Sequence, residues 1–278
     1  MSYRSILVHA CQPATAQARY QLAARIALDA GAQMAGIAAS GATEVLYRSG
    51  AAAAMMPIGP EDCAFLTESA RRDLAAFEET VRATGAQLVP GRVTDESATS
   101  ALPLAARYAD LLVIGQACSP DAIVANDQSL ARTVLVHAPC PVLVVPADSR
   151  SVALSQRPLL AWDGSMEASR AVRGALPLLQ RAGSVTVACF YPQKYEADGG
   201  AGGALLVAYL ACHGIAVDLL APAHADSVGH ALLALAESRG HDLIVMGSFG
   251  HSRLREAVLG GATRTVLAEA SIPVLTAH

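Results

Sequence analysis

The sequence contains two copies of one unit. When the chain is shifted by 132 positions, residues 109–146 lie over residues 241–278 without a gap. The tetrapeptide RTVL then coincides at 132–135 and 264–267, and PVL coincides at 141–143 and 273–275. The polar stretch PADSRSVALSQ separates the copies and is typical of a linker. We therefore predict two domains of one fold, at 1–148 and 154–278.

Within each copy, short apolar runs alternate with helical patterns, as βαβ units around a parallel sheet do. In the second copy we expect strands near 158–163, 184–190, 215–220, 242–246 and 273–276, with helices near 166–181, 203–213, 226–239 and 261–270. The sequence thus predicts an α/β protein of two tandem Rossmann-like domains, each a five-stranded doubly wound parallel sheet. Two insertions interrupt this pattern, and the one at 40–60 could be a flap, a contact arm or a surface loop.

Composition and charge exclude several classes of protein. A net charge of -4 with 16% charged residues provides no basic surface for nucleic acid. No apolar run reaches the roughly 18 residues that span a bilayer, and the first ten residues lack the apolar region of a secretory signal. The six cysteines form no CxxC pair. We expect a cytoplasmic protein that binds neither nucleic acid nor membrane.

Four glycines follow the apolar run DLIVM of the second copy: Gly247, Gly250, Gly260 and Gly261. Ligands of open parallel sheets bind at the carboxyl ends of the strands. Glycine lets a backbone approach a ligand closely, and a helix N-terminus presents unpaired N–H groups. The spacing therefore suggests a phosphate-binding loop, although a glycine after a strand can also be ordinary turn chemistry. The GxxxxGK[ST] loop of nucleoside triphosphatases is absent.

Asp163 ends the first strand of the second copy in the stretch AWDGS. The first and fourth strands of a doubly wound sheet are neighbours, so Asp163 should face the glycine loop. A carboxylate beside a phosphate is repulsive unless it holds a metal ion or a ribose hydroxyl. The alternative role is helix capping.

The stretch MGSFGHSRLREAVLGG has the G-2x-G-9x-G pattern of the universal stress protein family, and AWDGS resembles the family's first-strand motif. The resemblance implies domains that pair along their last strands, here CPVLVV and IPVLTA. It also implies ATP binding, with phosphates on the glycine loop, ribose and Mg²⁺ near Asp163, and Met246 and Phe249 lining the loop. Adenine would lie near Cys189, Phe190 and Tyr191. The family usually has Ser or Thr after the third glycine, where this chain has Gly261, and Thr263 is the nearest hydroxyl that could compensate.

The resemblance predicts a stress-response regulatory protein that binds ATP, ADP or AMP in its C-terminal domain. We expect no enzymatic activity beyond slow, incidental ATP hydrolysis, because no general base stands beside the loop. The chain would form an intramolecular pseudo-dimer, could dimerise further, and would signal to an unknown protein partner. The alternative is a nucleotide-independent module that binds a ligand or protein through the first copy's cleft or the 40–60 arm.

The first copy lacks the residues of this site. Under the same shift Gly250 becomes Cys118, and Asp163 becomes Cys11 or, with a slip of one residue, Ala10. Two thiols, Cys11 and Cys118, should therefore end adjacent strands. They could form a redox pair, hold a soft metal together with His9, or simply fill a vacated cleft.

Overall fold

The computed structural model describes residues 2–11, 13–51, 60–116, 127–147, 149, 154–190, 201–220, 227–249 and 261–278. The chain folds into two compact units. The first unit is Tyr3–Cys140, and the second unit is Pro141–His278 together with the first residues of the chain. The repeat limits 1–148 and 154–278 stay a prediction, since they concern where the duplicated sequence ends rather than which residues pack together.

The first unit carries a parallel sheet whose central strand is β1. Its strands are β1 (Ser5–His9), β2 (Gln33–Ala39), β3 (Gln87–Leu88), β4 (Arg92–Thr94) and β5 (Leu111–Gly115), and its helices are α1 (Pro13–Ala30), α2 (Ala42–Ala51), α3 (Pro60–Thr84), α4 (Ala98–Ala105) and α5 (Asp127–His137). Strand β1 pairs with β2 on one side and with β5 on the other. Both β3 and β4 pair with β2.

One predicted strand of the first unit is therefore broken into two short pieces. The N–H of Val89 still donates to the carbonyl of Met34 at 2.8 Å. Pro90 follows and has no N–H to continue the ladder. Pairing resumes at Arg92 opposite Ile37, so the proline accounts for the interruption.

The 40–60 arm is partly helical. Residues 42–51 form α2, α3 begins at Pro60, and the stretch between them lies outside the described residues. Tyr47 on α2 is 82% exposed and Phe65 on α3 is 66% exposed. The arm and the start of α3 thus each present one aromatic side chain to solvent.

The second unit has the predicted five parallel strands. They are β7 (Pro158–Trp162), β8 (Val185–Cys189), β9 (Val217–Leu220), β10 (Leu243–Gly247) and β11 (Val274–Ala277), and its helices are α6 (Met166–Leu179), α7 (Ala201–Cys212), α8 (Val228–Ser238) and α9 (Gly261–Glu269). The parallel strands follow the order β11, β10, β7, β8, β9. Hydrophobic side chains of the central strands are buried against α8 and α9, as expected for a sheet covered by helices.

The first and fourth strands of the second copy are neighbours, as predicted. Val245 of β10 lies opposite Leu160 of β7 in parallel register. The carboxyl ends of both strands therefore meet at one edge of the sheet, which brings Asp163 and Gly247 to the same place.

A sixth strand completes the sheet of the second unit. Strand β6 (Val142–Val145) pairs antiparallel with β11, with Val144 opposite Val274 and Val142 opposite Thr276. Because β6 is the last strand of the first copy, the predicted pairing through the last strands of the copies is confirmed.

Candidate functional site

A pair of equivalent carboxylates fixes which residues of the two copies correspond. Asp110 accepts two backbone N–H groups at 2.7 and 3.0 Å, and Asp242 accepts two at 2.6 and 3.1 Å. The donors are Arg4 and Ser5 in the first unit and Gln156 and Arg157 in the second. The first strands therefore correspond with an offset of 152 positions, which places Cys11, and not Ala10, at the position of Asp163.

Asp163 organises the turn between β7 and α6. Its Oδ1 accepts the N–H of Ser165 at 2.9 Å, and Gly164 between them has a φ of +77°. Ser165 is the N-cap of α6, because its Oγ accepts the N–H of Ala168 at 3.1 Å. The carboxylate thus stabilises the start of α6, which was the predicted alternative to ligand binding. Among the described residues, its Oδ2 accepts no hydrogen bond. One exposed oxygen of Asp163 is available to a ligand.

Gly247 lies directly against the first turn of α6. A Cβ at this position would be 2.5 Å from the backbone nitrogen of Ala168 and 2.8 Å from the carbonyl carbon of Glu167. Backbone atoms of a helix cannot move aside as a flexible side chain can. The packing of β10 against α6 is therefore sufficient to require glycine here, whatever Gly247 contributes to a ligand.

The start of the glycine loop is tied to β11. Ser248 is fully buried, its N–H donates to the carbonyl of Ala277 at 2.9 Å, and its Oγ donates to the same carbonyl at 3.1 Å. Phe249 then takes a φ of +55°, and its ring packs edge-on against His278 with centroids 6.5 Å apart. A non-glycine residue in the left-handed region is uncommon and is found preferentially at functional sites. The loop therefore leaves the sheet from a fixed base with a sharp change of direction.

Two buried polar atoms beside these strand ends have no hydrogen-bond partner among the described residues: Oε2 of Glu167 and Nε1 of Trp162. Glu167 is in the first turn of α6 next to Gly247, and Trp162 immediately precedes Asp163. Unsatisfied buried polar atoms are costly, so they commonly mark a place where a ligand or water binds. Both residues were missed at the sequence level. The signal available was the position of the chain's single tryptophan next to Asp163.

Comparison with known proteins supplies the family. The sequence profile of the universal stress protein family matches residues 155–278. The second unit therefore contains a domain similar to the universal stress protein family. A universal stress protein of Synechocystis is 32% identical over 158 residues, which are 55% of this chain and 50% of the relative. The chain therefore matches about half the length of that relative.

Solved structures share the fold over nearly the whole chain. A universal stress protein from Archaeoglobus fulgidus is 18% identical with a TM-score of 0.72, and the match covers 99% of this chain and 96% of the other. A functionally unknown protein from Pseudomonas aeruginosa is 17% identical with a TM-score of 0.59, covering 98% and 92%. At such identities the likeness shows a common fold, with both copies included.

The remaining residues predicted for the nucleotide site are mostly buried. Met246 is 5% exposed and packs in the core of the second unit, Cys189 is 3% exposed, and Thr263 is 7% exposed. Phe190 is half-buried, and its N–H donates to the carbonyl of Trp162 at 2.8 Å. A ligand could reach Met246 and Cys189 chiefly through their backbones. The roles predicted for these four residues stay predictions.

Gly261 opens α9, and a Cβ added to it would meet no atom of the described residues within 4 Å. Packing against the described residues therefore does not require glycine here, in contrast to Gly247. The other predicted positions, Gly250, Gly260, Tyr191 and Cys118, lie outside the described residues.

The equivalent edge of the first unit is occupied by a different set of side chains. The Sγ of Cys11 lies 3.4 Å from Nδ1 of His9, and the guanidinium of Arg19 contacts both Cys11 and the Cα side of Gly115. No group of three or more His, Cys, Asp and Glu side chains converges as a metal site anywhere in the described ranges. In the same part of the chain, no helix combines the length and hydropathy that a bilayer crossing requires.

Proposed function

We propose that this protein is a stress-response regulator of the universal stress protein family whose second unit binds one adenine nucleotide. The observation that carries the proposal is the presence, on residues at or beside the carboxyl ends of β7 and β10, of three polar atoms without a hydrogen-bond partner among the described residues: Oδ2 of Asp163, Oε2 of Glu167 and Nε1 of Trp162. Two acceptors and a donor match ribose hydroxyls, which donate and accept hydrogen bonds. The adjacent loop begins at Gly247 and leads toward the N-terminus of α9, where backbone N–H groups favour phosphate.

The residues present fit a nucleotide in this orientation. The ribose would lie at Asp163, Glu167 and Trp162, the phosphates at the glycine loop, and the adenine beside Phe190. Magnesium, when bound with a di- or triphosphate, would take Oδ2 of Asp163 as a ligand and neutralise phosphate charge. Gly261 offers no hydroxyl to the phosphates, so we propose weaker discrimination between ATP and ADP or AMP than a Ser or Thr there would give.

The protein acts by binding rather than by turnover in this proposal. Asp163 is engaged in the turn before α6 and Oε2 of Glu167 is buried, so we assign both carboxylates to the ribose rather than to the phosphates. Bound nucleotide would change the conformation of the second unit, and a protein partner would recognise that change. Hydrolysis would then be slow and incidental.

The test uses Trp162, the chain's only tryptophan. We expect ATP, ADP or AMP to change its fluorescence saturably, with about one equivalent bound per chain. Asp163→Asn should weaken binding about tenfold, since a hydrogen bond to a charged group contributes about 1.5 kcal/mol or more. Asp218→Asn is the matched control, because Asp218 is an exposed carboxylate in the middle of β9. A second variant, Gly261→Ser, should tighten ATP binding relative to AMP.

Two results would contradict the proposal. One is the absence of any nucleotide in the supernatant of freshly purified, denatured protein together with unchanged Trp162 fluorescence up to millimolar nucleotide. The other is an equal loss of affinity in Asp163→Asn and Asp218→Asn.

A second candidate function is protein binding without nucleotide. It is favoured by the exposed aromatic side chains of the 40–60 arm and α3, Tyr47 and Phe65. The double variant Tyr47→Ser/Phe65→Ser separates the candidates, because it should leave the Trp162 titration unchanged and abolish only a partner contact made by the arm.

A further inference from the structure

A charged side chain occupies a core-facing position of the first unit. The buried positions of α1 and α6 coincide under the offset of 152, which aligns Arg19 with Ala171 and Tyr20 with Val172. Ala171 is fully buried, and Arg19 is only 6% exposed. The first copy has therefore introduced a guanidinium where the second copy has a methyl group.

This guanidinium has no carboxylate partner in the described part of the chain. Its Nη2 donates to the carbonyl of Cys11 at 2.8 Å, its Nη1 contacts Gly115, and its Nε is buried without a partner. A buried charge is strongly unfavourable unless an opposite charge or sufficient hydrogen bonds compensate it. An anion beside Arg19 would therefore stabilise the buried charge.

Among the described residues, the Cys11 thiol lies beside Arg19 and can become an anion. Its Sγ lies 3.5 Å from Nη2 of Arg19 and 3.4 Å from Nδ1 of His9. The third neighbour, Tyr20, exchanges hydrogen bonds with the Cys11 backbone at 3.1 and 3.2 Å. Burial raises the pKa of Tyr20, so its phenol stays neutral and does not compete for the positive charge.

We propose that Cys11 is a reactive thiolate, held by Arg19 and His9, and that the first unit is a site of covalent modification by small electrophiles and hydroperoxides. Thiolates become reactive beside Arg or His cations when they are also accessible. Cys11 is partly exposed, so a small reagent can reach it. The loss of Asp163's counterpart thus coincides with the gain of a nucleophile.

The reaction with hydrogen peroxide is balanced as follows. The sulfur electron pair attacks one peroxide oxygen, an S–O bond forms, the O–O bond breaks, and hydroxide leaves. Sulfur is oxidised to a sulfenic acid, the peroxide is reduced, and the hydroxide takes a proton from solvent or from protonated His9. The product is neutral, so the guanidinium of Arg19 loses its counterion and the local packing of α1 becomes less stable.

The experiment compares Cys11 with Cys63 in the intact chain. Cys63 is an internal reference because it has the same intermediate exposure. Limiting iodoacetamide at pH 7 is followed by mass-spectrometric mapping. We expect Cys11 to react about tenfold faster, since an ordinary thiol is only a few per cent thiolate at this pH. As the pH is raised, the alkylation rate of Cys11 should also reach its maximum at a lower pH than the alkylation rate of Cys63.

Variants test the role of the guanidinium. Arg19→Met should lower the Cys11 rate to that of Cys63, and Arg19→Lys should restore part of the difference. Dimedone should trap a sulfenic acid on Cys11 after one equivalent of peroxide. The proposal is overturned if wild-type Cys11 reacts no faster than Cys63, a result that needs no variant to fold, or if a folded Arg19→Met chain keeps the fast rate.

Discussion

In each unit, a glycine lies at the sheet edge formed by the first and fourth strands. The two units differ in the atoms that pack against this glycine. In the second unit, helix backbone at Glu167 and Ala168 lies against Gly247. In the first unit, the end of the Arg19 side chain lies against Gly115. Both copies keep the glycine, yet only one also keeps the carboxylate at the end of the first strand. In the second unit packing alone is sufficient to require this glycine, so the glycine does not by itself identify a phosphate site.

The largest expected effect would separate these two glycines. Gly247→Ala forces a Cβ into helix backbone and should destabilise the second unit by about 3 kcal/mol. Gly115→Ala displaces only a flexible side-chain end and should cost about 1 kcal/mol, chiefly through the lost hydrogen bond from Arg19. Hydrogen exchange of the β10 and β5 amides measures each unit separately, which matters because two units need not unfold together. Equal losses would show that α6 can shift as easily as Arg19.

The carboxylates before the fourth strands should behave alike in the two units. Asp242→Ala and Asp110→Ala each remove the acceptor of two backbone N–H groups. We expect each substitution to cost about 1.5 kcal/mol in its own unit, because these exposed donors regain water. Exchange of the amides of Arg4 and Arg157 reports the loss directly. If the two losses of unfolding free energy differ more than twofold, the two carboxylates do not have equivalent roles despite their matching hydrogen bonds.

A smaller effect should appear only in the second unit. Ser165→Ala removes the N-cap of α6 and should cost about 1 kcal/mol. The corresponding residue of the first copy is Pro13, which has no side-chain acceptor. Ser165→Asp is the control, because Asp can cap the helix and should retain most of the stability. If Ser165→Ala has no effect on unfolding, Asp163 alone is sufficient to fix this turn.

The smallest effect is a pH response confined to the second unit. Burial, reinforced by the charges of Arg157 and Arg239, lowers the pKa of His241 below 6.5. As the pH falls, the histidine of the unfolded chain is protonated before that of the folded chain. The contribution of His241 to the free energy of unfolding is therefore fully present above about pH 6.5, decreases as the pH falls, and becomes constant below the pKa of the folded state. The equivalent residue is Ala109. His241→Gln should remove this slope from urea titrations between pH 7 and 5, and an unchanged slope would assign it to another group.

The fold could be predicted from the sequence because its signals are local or repeated. The duplication, the apolar runs and the turn residues placed every strand of the second unit within a residue or two of its observed position. The break at Pro90 and the helix Ala42–Ala51 were not anticipated, since a two-residue strand and an alanine-rich arm carry weak patterns.

The candidate site was predictable only in part. The adjacency of Asp163 and Gly247 follows from strand order, which a general rule supplies. The contact between Gly247 and α6, the unpartnered atoms of Glu167 and Trp162, and the burial of Arg19 depend on distances between residues far apart in sequence. No periodicity in one sequence encodes such distances.

The antiparallel pairing of β6 with β11 has a consequence for truncation of the chain. A fragment that ends just after Val145 would keep β6 but lack β11, and so would present an open edge strand made of four consecutive apolar residues. Such an edge is a template for self-association. Covalent linkage of the two copies therefore protects this protein from aggregation, because each chain carries both β6 and the strand β11 that covers its edge.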